Sequence, residues 1–189
     1  MNGKGQSEQK SIKILGISGS LRAQSANSRI LSALQHLLPP HVEYETYSKL
    51  SDLPHFNPDL DDSGLPVHGE VGQWRAHLAW ANAIVICTPE YARGVPGSLK
   101  NALDWVVSSG EFVGKPTAAI GASPHPQGGS AALDSLVGTL GMMSAVIPEG
   151  AGLCIPFITK KFAADGTLND AETEDMLRKL AAVLVETAG

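Results

Sequence analysis

The sequence predicts a doubly wound α/β domain, with a five-stranded parallel sheet covered by helices on both faces. Three observations carry that prediction. Aliphatic runs at residues 12–18, 83–89 and 115–123 are short and mostly apolar, as strands buried on both faces are. Stretches whose apolar residues recur at helical spacing alternate with these runs. Loops rich in glycine, serine and proline fall at 18–27, 89–97 and 123–129, directly after the same three runs.

The elements follow in order. "IKILGIS" (12–18) is the first strand, and Ile30, Leu31, Leu34, Leu37 and Leu38 mark one face of the first helix. Pro39-Pro40 stops that helix. "VEYETYS" (42–48) alternates and reads as a second strand. Residues 49–66, with Pro54, Pro58, Pro66 and several aspartates, form a long surface connection. Val71, Trp74, Leu78 and Ala81 then keep a helical period, and "AIVICTP" (83–89) is the strongest central-strand signal.

The segment 94–110 is a helix through Leu99, Ala102, Leu103 and Val106, with Pro96 and Ser98 suited to its first turn. "KPTAAIGAS" (115–123) is a buried strand, 124–129 a loop, and 130–143 a helix. "SAVIP" (144–148) supplies the last short strand. The closing helix spans 169–188, where Asn169 and Glu172 have capping-box spacing. Strict alternation of strand and helix implies a parallel sheet. Five strands favour the flavodoxin-like order 2-1-3-4-5, whose ligands bind beyond the carboxyl ends of strands 1 and 3.

The 189 residues fit one domain, read here as 12–189 after a disordered lead-in at 1–11. A net charge of −5 argues against a nucleic-acid binder, though a small anion can still find a local positive site. No apolar run has the length of a membrane helix, and the first residues lack the apolar core of a signal peptide. Cys87 and Cys154 stand far apart without a metal or redox motif, and Cys87 reads as a buried apolar filler. These features place the chain in the cytoplasm as an expectation. No Ser-His-Asp order, HExxH or Cys/His cluster offers covalent or metal chemistry.

The first loop, "GISGSLRAQSAN" (16–27), joins a strand to a helix, where free N–H groups and a positive helix end favour an anion. Gly16 and Gly19 let the main chain bend. Ser18, Ser20, Ser25 and Asn27 supply short polar side chains, and Arg22 supplies a permanent cation. The composition suits a phosphomonoester. It lacks GxxxxGK[ST] and GxGxxG, so neither a nucleoside-triphosphate loop nor a dinucleotide fingerprint is present. An ordinary strand–helix turn capped by Ser25 or Asn27 answers the same pattern about as well. The second loop, "TPEYARGVPG" (88–97), combines stiff prolines with glycines and Tyr91, so that a flat aromatic ligand could lie against its backbone. The alternative is a rigid turn with Tyr91 packed beneath it. "SPHPQGG" is either a plain turn or a third wall of the same pocket.

Together, "GSLRxxSxN" (19–27), "PEY" (89–91) and "GxPGxLKNALDW" (94–105) resemble the NADPH-dependent FMN reductases, a flavodoxin-like family that includes quinone, chromate and azo-dye reductases. The resemblance covers about residues 12–150, with a compatible tail at 165–180. It implies FMN as cofactor and NADPH or NADH as donor. Ser18, Ser20, Arg22, Ser25 and Asn27 would hold the phosphate, with Leu21 also at the cofactor. Pro89, Glu90, Tyr91, Arg93 and Gly94 would border the ring, and Ser123, Gly128 and Gly129 would complete the pocket. The family also implies homodimers or homotetramers. Ala92, Arg93-Gly94 and His125 depart from the usual family pattern and bear on the second-substrate pocket.

No side chain is expected to be catalytic, because the cofactor carries the redox chemistry. Glu90 reads as a structural ion pair in preference to a proton carrier. Arg93 either attracts the donor's phosphates or is a surface cation, and His125 is an exposed loop residue. Trp74, Trp80 and Trp105 read as packing. The function expected is hydride transfer from NAD(P)H through FMN to quinone, azo, chromate or flavin acceptors, by a ping-pong mechanism. Amides from 90–94 would stabilise negative charge on the reduced ring. The alternatives are an FMN-binding electron carrier or redox-sensing module with little NAD(P)H turnover, and a flavin-free scaffold.

Overall fold

In the computed structural model of this chain, which describes residues 11–61 and 69–189, five strands form one sheet. The elements are β1 (Ile12–Ser18), α1 (Ala26–Leu37), β2 (Val42–Tyr47), α2 (Pro58–Asp61), α3 (Gly69–Trp80), β3 (Ala83–Thr88), α4 (Gly97–Asp104), β4 (Thr117–Ala122), α5 (Ser130–Met142), β5 (Gly152–Ile155) and α6 (Ala171–Ala188). The spatial order is β2-β1-β3-β4-β5 and every pairing is parallel, as the sequence predicts. Most of the lead-in, residues 1–10, and residues 62–66 of the predicted connection lie outside the described residues.

The period of two along each strand divides the core into two layers. Leu15, Ile17, Ile84, Ile86 and Ala119 pack against Trp74 and Leu78 of α3, Leu99 and Leu103 of α4, and Leu136 and Leu140 of α5. Ile14, Val85, Cys87, Ala118 and Ile120 face Ile30, Leu31 and Leu34 of α1 and Leu177, Leu180 and Leu184 of α6. β3 and β4 are buried at every position, which explains their unbroken apolar runs. Trp74 and Trp105 are packing residues whose indole N–H groups donate to the carbonyls of Ala102 and Pro54.

Several boundaries differ from the sequence prediction. The fifth strand is Gly152–Ile155, and 144–148 contributes only an isolated bridge from Val146 to Pro116. The predicted helix 94–110 is regular only over 97–104, with Pro96 at its N-cap. The cap of α6 is Asp170, which accepts from the Thr173 N–H at 2.9 Å, so the Asn169–Glu172 capping box does not form. Asp170 has the stronger local support, since Lys161 also reaches it at 3.0 Å. Gly16 and Gly19 serve packing. A Cβ on Gly16 would collide with the Tyr44 ring, and one on Gly19 would stand 2.9 Å from the Thr88 hydroxyl.

Candidate functional site

The site follows from where three strands end. Ser18 pairs with Cys87, and Thr88 pairs with Gly121, so β1, β3 and β4 finish side by side. β2 lies on one side of β1 and β3 on the other, which opens a crevice at this switch point. The loops after the three strands line a cleft of about 200 Å³, formed by Ser20, Arg22, Ser25, Ala26, Asn27, Pro89, Glu90, Tyr91, Ala122, Ser123, Pro124, Ile158 and Thr159. A larger, open groove of about 370 Å³ lies between α1, the turn at 165–168 and α6. It does not sit where the three strand-following loops converge, so we place the site at the smaller cleft.

One wall of the cleft is the start of α1. Ser25 is the N-cap, its Oγ accepting from the Asn27 N–H at 3.1 Å, so the capping alternative weighed from sequence does hold for this serine. The backbone N–H groups of Ala23, Gln24, Ser25 and Ala26 have no acceptor among the described residues. The exposed Arg22 stands beside them and forms no ion pair among the described residues. Asn27 is only 5% exposed, and its Oδ1 accepts from the buried Cys87 thiol at 3.2 Å. Positive helix end, cation and amide therefore meet at one spot, the donor set an anion requires.

Ser18 is bonded within the loop. Its Oγ accepts from the Ser20 N–H at 3.3 Å and from the Ser28 hydroxyl at 3.1 Å, which knits the loop together. Ser18 and the exposed Leu21 line a neighbouring cleft over β2, also about 200 Å³, which shares Ser20 and Arg22.

The loop after β3 forms the opposite wall. Tyr91 and Gly94 exchange two backbone hydrogen bonds, at 2.9 and 3.0 Å, and close a tight hairpin. Its central residues, Ala92 and Arg93, both have positive φ, +50° and +63°. That is the geometry of a type I′ turn, which Asn-Gly adopts with less strain. Two amides expected to face the ring, those of Tyr91 and Gly94, are thus engaged within the hairpin. Those of Glu90, Ala92 and Arg93 have no acceptor among the described residues. Tyr91 is 53% exposed and lines the cleft, so it is not packed under the turn. Arg93 and Gly94 lie beyond the lining.

Among the described residues Glu90 forms no ion pair; it caps a helix from a distant loop. Its Oε2 accepts from the N–H groups of Ala131 and Ala132 at 3.0 and 3.2 Å. α5 needs this help because its own N-cap is Gly129, which has no side chain to offer. The bond ties the hairpin wall to the third loop. It also occupies this carboxylate, so that its charge is answered away from the α1 end.

In the third loop, Ser123 lines the cleft and its Oγ accepts from the His125 N–H at 3.2 Å. Gly128 and Gly129 are buried and do not line the cleft. Their φ values, +62° and +84°, let the chain turn closely under β4 and β5, where a Cβ on Gly128 would stand 2.9 Å from the Pro156 nitrogen. Sequence reading missed Ile158 and Thr159, which follow the true fifth strand. Among the described residues no group of three or more His, Cys, Asp and Glu could hold a metal ion, and no helix is long and apolar enough to cross a membrane.

The chain is similar in sequence and fold to known proteins. The NADPH-dependent FMN reductase family matches residues 12–160. The NAD(P)H-dependent FMN reductase of Pseudomonas aeruginosa is 35% identical over 170 residues, covering 89% of this chain and 90% of the relative. The 2-hydroxy-1,4-benzoquinone reductase of a Burkholderia species is 33% identical over 171 residues, covering 88% and 91%. The solved structure of FerB, a flavoenzyme NAD(P)H:(acceptor) oxidoreductase from Paracoccus denitrificans, matches with a TM-score of 0.79 at 29% identity, over 94% of this chain and 97% of that one. The chain belongs to the NADPH-dependent FMN reductase family: it is an NAD(P)H-dependent oxidoreductase that uses FMN on a flavodoxin-like fold.

Proposed function

We propose that this enzyme binds FMN in the cleft at the ends of β1, β3 and β4, with the phosphate on the 20–27 loop, and reduces small electron acceptors such as quinones. The observation that supports this most is the convergence of unpaired loop N–H groups, Arg22 and Asn27 at the start of α1, facing a hairpin wall that carries Tyr91. The residues present fit the cofactor. The helix end offers donors to an anion, and the one carboxylate lining the cleft is held by α5. Held there, FMN would supply the redox chemistry between nicotinamide donor and acceptor.

The chain's own residues bind and orient. Arg22, Ser25 and Asn27 fix the phosphate end. Pro89, Tyr91 and the hairpin set the wall beside the ring. The free amides of Glu90, Ala92 and Arg93 can donate toward charge that develops on reduction. No second nucleotide motif is present in the sequence, so donor and acceptor use one opening in turn. Quinone, azo, chromate and flavin acceptors all belong to this reading, as does self-association into a homodimer or homotetramer.

The test is steady-state oxidation of NADPH and NADH by the FMN-loaded protein, varying donor and quinone together. Parallel double-reciprocal lines and competitive inhibition by excess quinone against the donor are expected. Intersecting lines would mean that both substrates are held at once. FMN binding with negligible NAD(P)H turnover would mark an electron carrier instead.

A further inference from the structure

We infer that Cys87 is a positioning residue for phosphate recognition, acting through Asn27; the inference rests on the reading of the cleft as an FMN site. Cys87 lies on β3, fully buried beneath the start of α1, and its thiol donates to Asn27 Oδ1 at 3.2 Å. The contact joins residues that are 60 positions apart in the chain. Asn27 is 95% buried in turn, since only 5% of it is exposed, and it lines the cleft.

The chemistry of the two groups decides which way the amide points. A carboxamide has one end that only accepts and one that only donates. A thiol has one proton to give and accepts poorly, so it selects the oxygen end. Burial pushes the Cys87 thiol above its ordinary value, so the proton it donates stays in place across the working pH range. With Oδ1 held by sulfur, Nδ2 is the end left over, and it has no acceptor among the described residues. Two N–H donors on a nearly buried side chain then stand beside Arg22 and the free N–H groups of α1's first turn, where they suit phosphate oxygens and repel nothing. Without the thiol proton, the amide loses its reason to keep oxygen away from the anion. An oxygen turned into that site would oppose the phosphate.

The experiment compares FMN with riboflavin, which shares the ring and lacks the phosphate. Binding to the apo protein is followed by quenching of flavin fluorescence, in the wild type and in Cys87→Ala and Cys87→Ser. Thermal melting checks each fold. If Cys87→Ala does not fold, Cys87→Val fills the space without a proton to donate. The expected result is FMN affinity about three- to tenfold weaker in Cys87→Ala, with riboflavin affinity unchanged. Cys87→Ser, which keeps a donor, should retain the wild-type preference for FMN. An unchanged FMN-to-riboflavin ratio in the Ala or Val variant overturns the inference, as does a parallel loss of both affinities or a failure of serine to restore the ratio. A wild-type protein with no preference for FMN over riboflavin overturns the phosphate site itself, and the inference with it.

Discussion

Replacing Glu90 by alanine should destabilise the protein although Glu90 lies on a loop. The carboxylate accepts from two N–H groups at the start of α5, at 3.0 and 3.2 Å. The N-cap position, Gly129, cannot replace it. Loss of an N-cap acceptor costs about 0.5–2 kcal/mol, and loss of a negative charge at a helix start a further ~0.3–1 kcal/mol. Glu90 is half-buried, so water partly replaces it, and the sum of about 1–3 kcal/mol is an upper range. For a chain of this size, 1 kcal/mol moves the melting temperature by about 2–4 °C. Glu90→Ala should therefore melt about 2–12 °C lower without FMN, and Glu90→Gln, which keeps a neutral acceptor and loses only the charge, should lose about a third as much. FMN affinity should also fall in Glu90→Ala, because the bond joins two walls of the cleft. Melting unchanged to within a degree would refute the capping role. An equal loss for Gln and Ala would refute the charge argument.

Other consequences are equally open to measurement. Arg22→Ala should weaken FMN about ten- to a hundredfold, from the loss of one charge-assisted contact of ~1.5–3 kcal/mol, with little change in melting; flavin titration reads it. Gly94→Val should leave the fold intact, since its Cβ would meet only the Tyr91 carbonyl at an ordinary 3.9 Å, and its thermal melting should match the wild type. Ala92→Asn should raise stability by about 0.5–1 kcal/mol in denaturant unfolding, because Asn tolerates the left-handed conformation that Ala92 holds at φ +50°. Asp170 is held down to about 2 by the Thr173 hydroxyl, by Lys161 and by the Thr173 N–H. Its folded value is depressed, so its contribution is present above pH 4 and lost as pH falls toward 2. Melting curves of Asp170→Asn and wild type should therefore differ at pH 6 and converge near pH 2.

The central sheet is legible because β3 and β4 are covered on both faces, and burial writes itself into unbroken runs such as "AIVICT" and "TAAIGA". The fifth strand is not legible for the opposite reason. "GLCI" is a four-residue edge strand that begins with an exposed glycine, while "SAVIP" nearby carries an equal run of three apolar residues and makes only one bridge. That misplacement hides Ile158 and Thr159, whose place on the cleft depends on where β5 ends. In the site, the α1 loop is readable because its polar residues are crowded into one strand–helix turn. Glu90 is misjudged because its partners are backbone amides 41 and 42 residues away, which no spacing rule foretells. Gly128 and Gly129 mislead in another way: glycine marks close approach, but here the backbone approached is the protein's own.

The position of bound FMN tests the proposed site most directly. A crystal structure of the FMN complex should show the phosphate at the start of α1, within hydrogen-bond distance of the Arg22 guanidinium, Asn27 Nδ2 and the N–H groups of residues 23–26, with the ring against Tyr91. A phosphate found in the groove beside Arg29 and Asp165, or a ring lying away from the 91–94 hairpin, would contradict it.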